Sequence, residues 1–197
     1  MSYCEEIKRL LFKYQDLGKK KLEDGTVLIG KALHIAPEAW LHQIYPTLSD
    51  GDINALESSI NRSIPNDYKQ FLSRCSNGLN VFADVLSLDG LRKNMNRSSI
   101  EAAWQPYSIL TANTKERLKN APRNCFFLGG YSWDGSLLYL DEDDGKVYRT
   151  SRKIFKPLNM WNDFETMFIC EIERISALHD EEGRRIDINK PTVPVCI

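Results

Sequence analysis

At Asn77-Gly78 the hydrophobic period of the chain changes, and this change constrains the fold more than any other feature. Upstream, residues 63–78 read SIPNDYKQFLSRCSNG, with Tyr68, Phe71, Leu72 and Cys75 spaced i, i+3, i+4, i+7, the apolar stripe of a helix. Pro65 falls in its first turn, where a missing N–H costs nothing. Asp67 and Arg74 match the two ends of the helix dipole, and Asn77-Gly78 supplies a left-handed exit. A preceding helix is predicted with Ser49 as its cap and Ile53, Leu56 and Ile60 on one side. Downstream, LNVFADVLSLDGL is rich in Val, Leu and Phe between Gly78 and Gly90, which reads as one or two strands. FFLGGYSWDGSLLYLDEDDGKVYRTS then predicts three strands joined by turns at Asp134-Gly135 and Asp144-Gly145. Such short connections require antiparallel pairing. A closing helix carries Trp161, Phe164, Met167, Phe168, Ile172 and Ile175 at 3.6-residue spacing. Helices, then strands, then a helix indicate an α+β fold.

The flanks carry weaker signals. Ser2 and Glu5 resemble a capping box before the stripe Ile7, Leu10, Leu11, Tyr14, Leu17, which Gly18 can end. KKKLEDG reads as a solvated connector and Val27–Ile29 as a short strand. Pro37 is expected to open a helix over PEAWLHQIY that Pro46 stops. In 91–124, Ser98 or Ser99 is expected to cap a helix holding Ile100 and Trp104, with another over TKERLKN. The tail from Gly183 is expected to be loosely ordered. The domain reading is therefore a helical extension over 1–45 packed on the core, a main domain over 46–182 and a tail over 183–197.

A chain of 197 residues is long enough to bury a core without a disulfide or metal staple. The N-terminus lacks the apolar core of a signal peptide, and no run approaches the length of a membrane span. Five scattered cysteines with no Cys-x-x-Cys pair argue against a disulfide framework and a zinc finger, so a reducing cytoplasm is expected. Asn61-Arg-Ser63 and Asn96-Arg-Ser98 match a glycosylation acceptor too short to weigh without a secretion signal.

No catalytic or metal-binding constellation stands out in the sequence. His34, His42 and His179 stand alone and read as ordinary surface or boundary residues. Gly130-Tyr-Ser132-Trp-Asp-Gly135 has its second Gly one residue too late for a hydrolase elbow. Asp141-Glu-Asp-Asp-Gly145 fails the EF-hand pattern at its Gly and at its last ligand. Neither cofactor nor metal is expected. Charge, by contrast, is segregated. Residues 134–144 carry five acids and no base, and the closing helix region is also acidic. Residues 91–124 carry seven bases against two acids. An acidic face opposite a basic one would steer a basic partner, such as a nucleic-acid-cleaving enzyme.

The set Leu48-Ser49, Ile53, Leu56-Glu57, Ile60, Ile64-Pro65, Asp67-Tyr68, Phe71-Leu72 and Asn77-Gly78 resembles the signature of the SUKH superfamily. Phe127-Leu128-Gly129, Asp134-Gly135, Leu140-Asp141, Gly145-x-Val147-Tyr148 and Asp163-Phe164 follow in the same order. The resemblance covers about 45–175, with 91–124 looking like a basic insertion. It implies a mainly antiparallel sheet flanked by helices. For bacterial members it implies a non-enzymatic immunity protein that binds and neutralises a cognate toxin domain, often a nuclease, by covering its active site. Fungal relatives imply an alternative, a regulatory adaptor of cell-wall synthesis. Neither requires direct contact with nucleic acid or membrane. The expected partner surface combines Tyr131, Trp133 and Asp134 with Asp141, Glu142, Asp143 and Asp144, the two aromatics serving as exposed anchors.

Overall fold

The computed structural model describes residues 3–94 and 104–195. The readings that rest on Ser2 and on Asn96–Ile100 lie outside the described residues. Nine strands follow one another in sheet order, each antiparallel to the next. They are β1 (Lys19–Lys21), β2 (Val27–Lys31), β3 (Trp40–Ile44), β4 (Leu79–Val81) and β5 (Leu86–Leu88). Then come β6 (Cys125–Tyr131), β7 (Leu137–Asp141), β8 (Val147–Thr150) and β9 (Pro157–Trp161). Helix α1 (Tyr3–Phe12) precedes the sheet. Helices α2 (Asp50–Ile60) and α3 (Asn66–Arg74) link β3 to β4, α4 (Ile109–Asn113) lies between β5 and β6, and α5 (Phe164–Ser176) ends the run. The expected α+β fold is therefore present, with its N-terminal helix.

The tandem helices form for local reasons. Ser49 and Asp52 make a reciprocal capping box at the start of α2, and Asn61 leaves it in the left-handed region. In α3, Tyr68, Phe71 and Leu72 are buried. Tyr68 and Phe71 meet Phe164 and Phe168 of α5 in one ring cluster, with centroids 5.2 to 5.5 Å apart for Tyr68–Phe164 and Phe71–Phe168. The helices cover one face of the sheet, against Val81, Leu86, Leu88, Phe126 and Leu128.

Several expectations change. KKKLEDG is more than a connector, since Lys19–Lys21 form the exposed strand β1, and Trp161 lies in β9 rather than in the closing helix. PEAWLHQIY holds strand β3, not a helix: its period-2 residues His42 and Ile44 pair with Val81 and Leu79 of β4. Helix α4 lies before TKERLKN, which is turn and bend. Cys4 and Cys75 form a disulfide with Cα atoms 5.3 Å apart, because α1 folds back onto the end of α3. Such bonds belong mainly to oxidising compartments. The tail is held by Arg174 to the Thr192 carbonyl (2.7 Å), Arg149 to Pro194 (2.9 Å) and Asn159 to Val195 (2.7 Å).

The β4–β5 corner is strained. Phe82, Ala83 and Asp84, none of them glycine, all have φ between 50° and 69°. Each such residue costs about 1–2 kcal/mol. Buried Phe82 compensates by packing among the rings of Tyr14, His42 and His179, and the Ala83 N–H donates to Leu41 O at 2.8 Å. Ala83→Gly is expected to raise stability by up to ~1 kcal/mol, once the greater unfolded-state freedom of glycine is counted. Urea unfolding measures it directly.

Candidate functional site

The sheet face turned away from the main helices is only partly covered. One end carries a small apolar cluster of Cys125, Phe127 and Tyr139 under Ala112, Leu118 and Ala121. Asn113 seals that end, donating to Phe127 O and accepting from Phe127 N, both at 2.8 Å. Beyond it the described residues leave a groove of about 750 Å³. Its floor is one cross-strand row, Gln43–Asn80–Ser87–Gly130–Leu137. The alternation that buries Leu79 and Val81, then Leu86 and Leu88, sends Asn80 and Ser87 to this side. Part of the 91–124 segment walls the groove, through Arg92, Tyr107, Thr111 and Glu116. The basic segment thus both covers the sheet and shapes an opening in it.

Signature residues fix this floor from behind. The fully buried Tyr68 hydroxyl donates to the backbone oxygens of Asp89 (2.5 Å) and Leu128 (3.1 Å). The Asn77 side chain accepts from Leu91 N (2.6 Å) and donates to Leu91 O (2.9 Å). Gly78 allows the close approach, since a Cβ there would stand 2.6 Å from Leu88 O. Phe-Leu and Asn-Gly elements of the signature are thus scaffold, and what they hold in place is the Asp89 loop.

The groove holds buried polar atoms without partners. Asn80 Oδ1, Asp84 Oδ1 and Ser136 Oγ make no hydrogen bond. Asp89 lines the groove at 7% exposure. Burial, reinforced by the negative charge of Glu116, pushes its carboxyl up to about 7. The cations nearby are engaged: Arg152 pairs with Glu116 at 3.2 Å, and Arg92 donates to Asn94 O (3.1 Å) and Pro106 O (3.2 Å). Tyr107 donates to Asp84 Oδ2 at 3.2 Å from the rim.

A carboxyl whose pKa is raised on folding binds more protons in the native state than in the unfolded one, so its penalty grows as pH rises from about 4 to 7. Asp89→Asn is therefore expected to be more stable than the parent at pH 8 by about 1–3 kcal/mol, with the gain vanishing near pH 4. Thermal melts across pH measure the crossover.

The predicted partner residues do not come together. The β6–β7 turn and the β7–β8 turn lie at opposite ends of β7, roughly 15 Å apart. Tyr131 is not an exposed anchor: it is 3% exposed and donates to Glu171 at 2.8 Å. Its side chain points to the helical side because its partner in register is Leu86. Trp133 is exposed, with the Arg185 guanidinium 5.5 Å from its ring. Asp134 is also exposed, and accepts from Ser136 N at 2.9 Å. Their turn borders the groove through Ser132, Gly135 and Ser136.

The acids of the far turn are occupied. Asn124 donates to Asp141 (2.6 Å) and Asp143 (2.8 Å), Arg62 pairs with Glu142, and Asp144 accepts from Lys146 N (2.9 Å) and the Tyr148 hydroxyl (2.7 Å). The bond to Asp144 pushes that hydroxyl up to about 12. Nor does all of the basic segment stand opposite: its Arg117 donates to Cys125 O beside this turn at 2.8 Å, next to Arg62 from the end of α2 at 3.0 Å. In α5, Asp163 caps the helix through Thr166 N, and Glu171 is internal.

His42 and His179 are buried, not surface residues, and burial lowers His42 to about 3, making it a neutral core group. Among the described residues no group of three His, Cys, Asp or Glu is placed to hold a metal, and no helix is long and apolar enough to cross a membrane.

A family model described as SMI1 / KNR4 family (SUKH-1) matches residues 47–170. The chain belongs to this family. The match spans well over half the chain and contains every signature residue from Ser49 to Asp163. SUKH proteins are typically protein-interacting, with immunity or regulatory roles. No curated protein matches the chain. Most of the SUKH match is core and turn, and its Tyr68 and Asn77 are the residues that hold the groove. Asp89, Asn80, Asp84 and Ser136 were not singled out in the sequence, although the alternation around Asn80 and Ser87 marks the face they share.

Proposed function

We propose that this SUKH protein is an immunity protein that binds a cognate toxin domain and blocks it by covering its active site, without chemistry of its own. The observation that carries the reading is the groove, with acceptors buried and unfilled on a preformed sheet face. Burying such atoms without partners costs free energy, which a donor-rich partner recovers. Such a floor suits a toxin whose cleft is basic, as a nuclease's must be to hold phosphates. Trp133 and Asp134 border the contact, and the Asp141–Asp144 turn contributes field rather than contact.

Toxicity of a nuclease is exerted in the cytoplasm, and the immunity protein acts there. In that compartment Cys4 and Cys75 would stand reduced and adjacent, and mass spectrometry after alkylation in intact cells distinguishes thiols from the bond. The functional test is co-expression with any candidate toxin domain encoded beside this gene. Restored growth and a complex at micromolar concentration are expected. Neither growth nor complex would exclude the immunity reading and leave a regulatory adaptor.

A further inference from the structure

The sheet ends in two free edges, β1 and β9, and they differ in charge. Strand β1 is three consecutive exposed lysines, a run that repels any copy of itself. Strand β9 carries no charge from Pro157 to Trp161, and its Met160 is 45% exposed. The register fixes where the β9 backbone points. Asp141 N donates to Lys146 O, so Tyr139–Tyr148 is a hydrogen-bonded pair, and Val147 and Arg149 turn their backbone groups toward β9. These face Trp161 and Asn159, which leaves the N–H and C=O of Met160 directed outward. Among the described residues neither group has a backbone partner. Pro157 and the irregularity opposite Arg149 and Thr150 disable the start of the strand as an edge, so the free stretch is Asn159 to Trp161.

We infer that this edge pairs with its own copy, antiparallel about a two-fold axis at Met160, to give a homodimer; the inference does not depend on the immunity reading. Charge along the chain selects that occupant. The exposed Lys153 and Lys156 precede the strand, and Asp163 and Glu165 follow it. Antiparallel self-pairing lays the basic flank of each copy beside the acidic flank of the other, at both ends at once. Two copies in parallel would set like charges together. Across the axis the two Met160 residues exchange both N–H···O bonds, as a directly opposed antiparallel pair does. Their flexible side chains meet on the face of Tyr148, the register partner of Met160, whose ring stacks on Tyr139 at 5.3 Å. The tail does not block this contact, because Asn159 holds it from the opposite face. The paired stretch is short, so the dimer belongs with small, weak interfaces.

Sedimentation velocity of the full chain from about 5 to 500 µM tests this, with a monomer–dimer Kd of roughly 10–100 µM expected. Met160→Lys sets two ammonium groups on the axis and should raise Kd by at least about tenfold. Its melting temperature should stay near the parent's, since the side chain is already half exposed. Lys156→Glu and Glu165→Lys should each weaken the dimer, while both changes in one chain should restore Kd to within about threefold of the parent. The Met160 amide should exchange more slowly as concentration rises. A chain that stays monomeric to about 500 µM overturns the inference, as does a dimer that Met160→Lys leaves intact. Filaments that lengthen with concentration also overturn it, since they mark a head-to-tail contact rather than a two-fold one.

Discussion

Gly129→Ala is expected to destabilise the fold by about 3 kcal/mol or more. A Cβ at this position would stand 2.0 Å from Ser87 O and 2.9 Å from Leu88 Cα, both backbone atoms of β5. At φ 153° the backbone also lies where side chains are rarely found. Relief requires β5 and β6 to separate, and they pair directly through Leu88–Gly129 and Ser87–Gly130. That pair lies in the groove floor, so the damage extends beyond stability. At about 2–4 °C per kcal/mol for a chain of this size, the melting temperature should fall by roughly 6–12 °C. The Asp89 loop, whose N–H donates to Leu128 O at 2.7 Å, should exchange its amide hydrogens faster. An unchanged melting temperature would show that β5 and β6 are not packed as described.

The second large effect is on the helical side. Glu171 is 2% exposed and is held by Arg174, whose Nε and Nη2 donate at 2.9 and 2.6 Å, and by the Tyr131 hydroxyl. The same carboxylate raises the Tyr131 pKa, after burial itself. Arg174→Met removes the only cation hydrogen-bonded to this carboxylate among the described residues and is expected to cost about 3–5 kcal/mol, the penalty of a buried charge left alone. Adding Glu171→Gln to that variant should recover a large part, because a neutral amide carries no ionic desolvation cost. Double-mutant cycles on urea midpoints give the coupling. A small single effect would mean that water or the tail reaches Glu171, since Arg174 also binds the Thr192 carbonyl there.

Sequence reasoning reached the parts of the fold that local physics decides. Ser49 caps, Pro65 opens and Gly78 turns because their own backbones require it, and the hairpins around β7 follow from Asp-Gly turns. Strand β3 was hidden because Trp40, Leu41 and Ile44 fit a helical face as well as a pleat. Only pairing with β2 and β4 decides between them. Tyr131 looked like a surface anchor because its neighbours are turn residues. Its burial is set by Leu86 across the ladder, a partner 45 positions away.

The groove was legible only in outline. Leu79-Asn80-Val81 and Leu86-Ser87-Leu88 display a polar face, but that this face stays open depends on where residues 104–123 fold back over the sheet. The 141–144 turn is the densest run of acids in the sequence, but Arg62, 80 positions earlier than Glu142, lies against it, a pairing that only the fold brings about. Charge segregated in the sequence is paired in the structure at the 141–144 turn, while Asp89 is buried in the groove. Burial separates them, and burial is a tertiary property.

In the proposed immunity role the partner is held by the groove and not by the acidic turn. Calorimetry with the purified toxin domain tests it on two variants, Asp89→Asn and the triple change of Asp141, Asp143 and Asp144 to Lys. The groove account predicts that Asp89→Asn weakens binding by about tenfold or more, while the turn variant changes affinity by less than about threefold and mainly alters the salt dependence. The opposite ranking, with Asp89→Asn silent and the turn variant abolishing the complex, would contradict it.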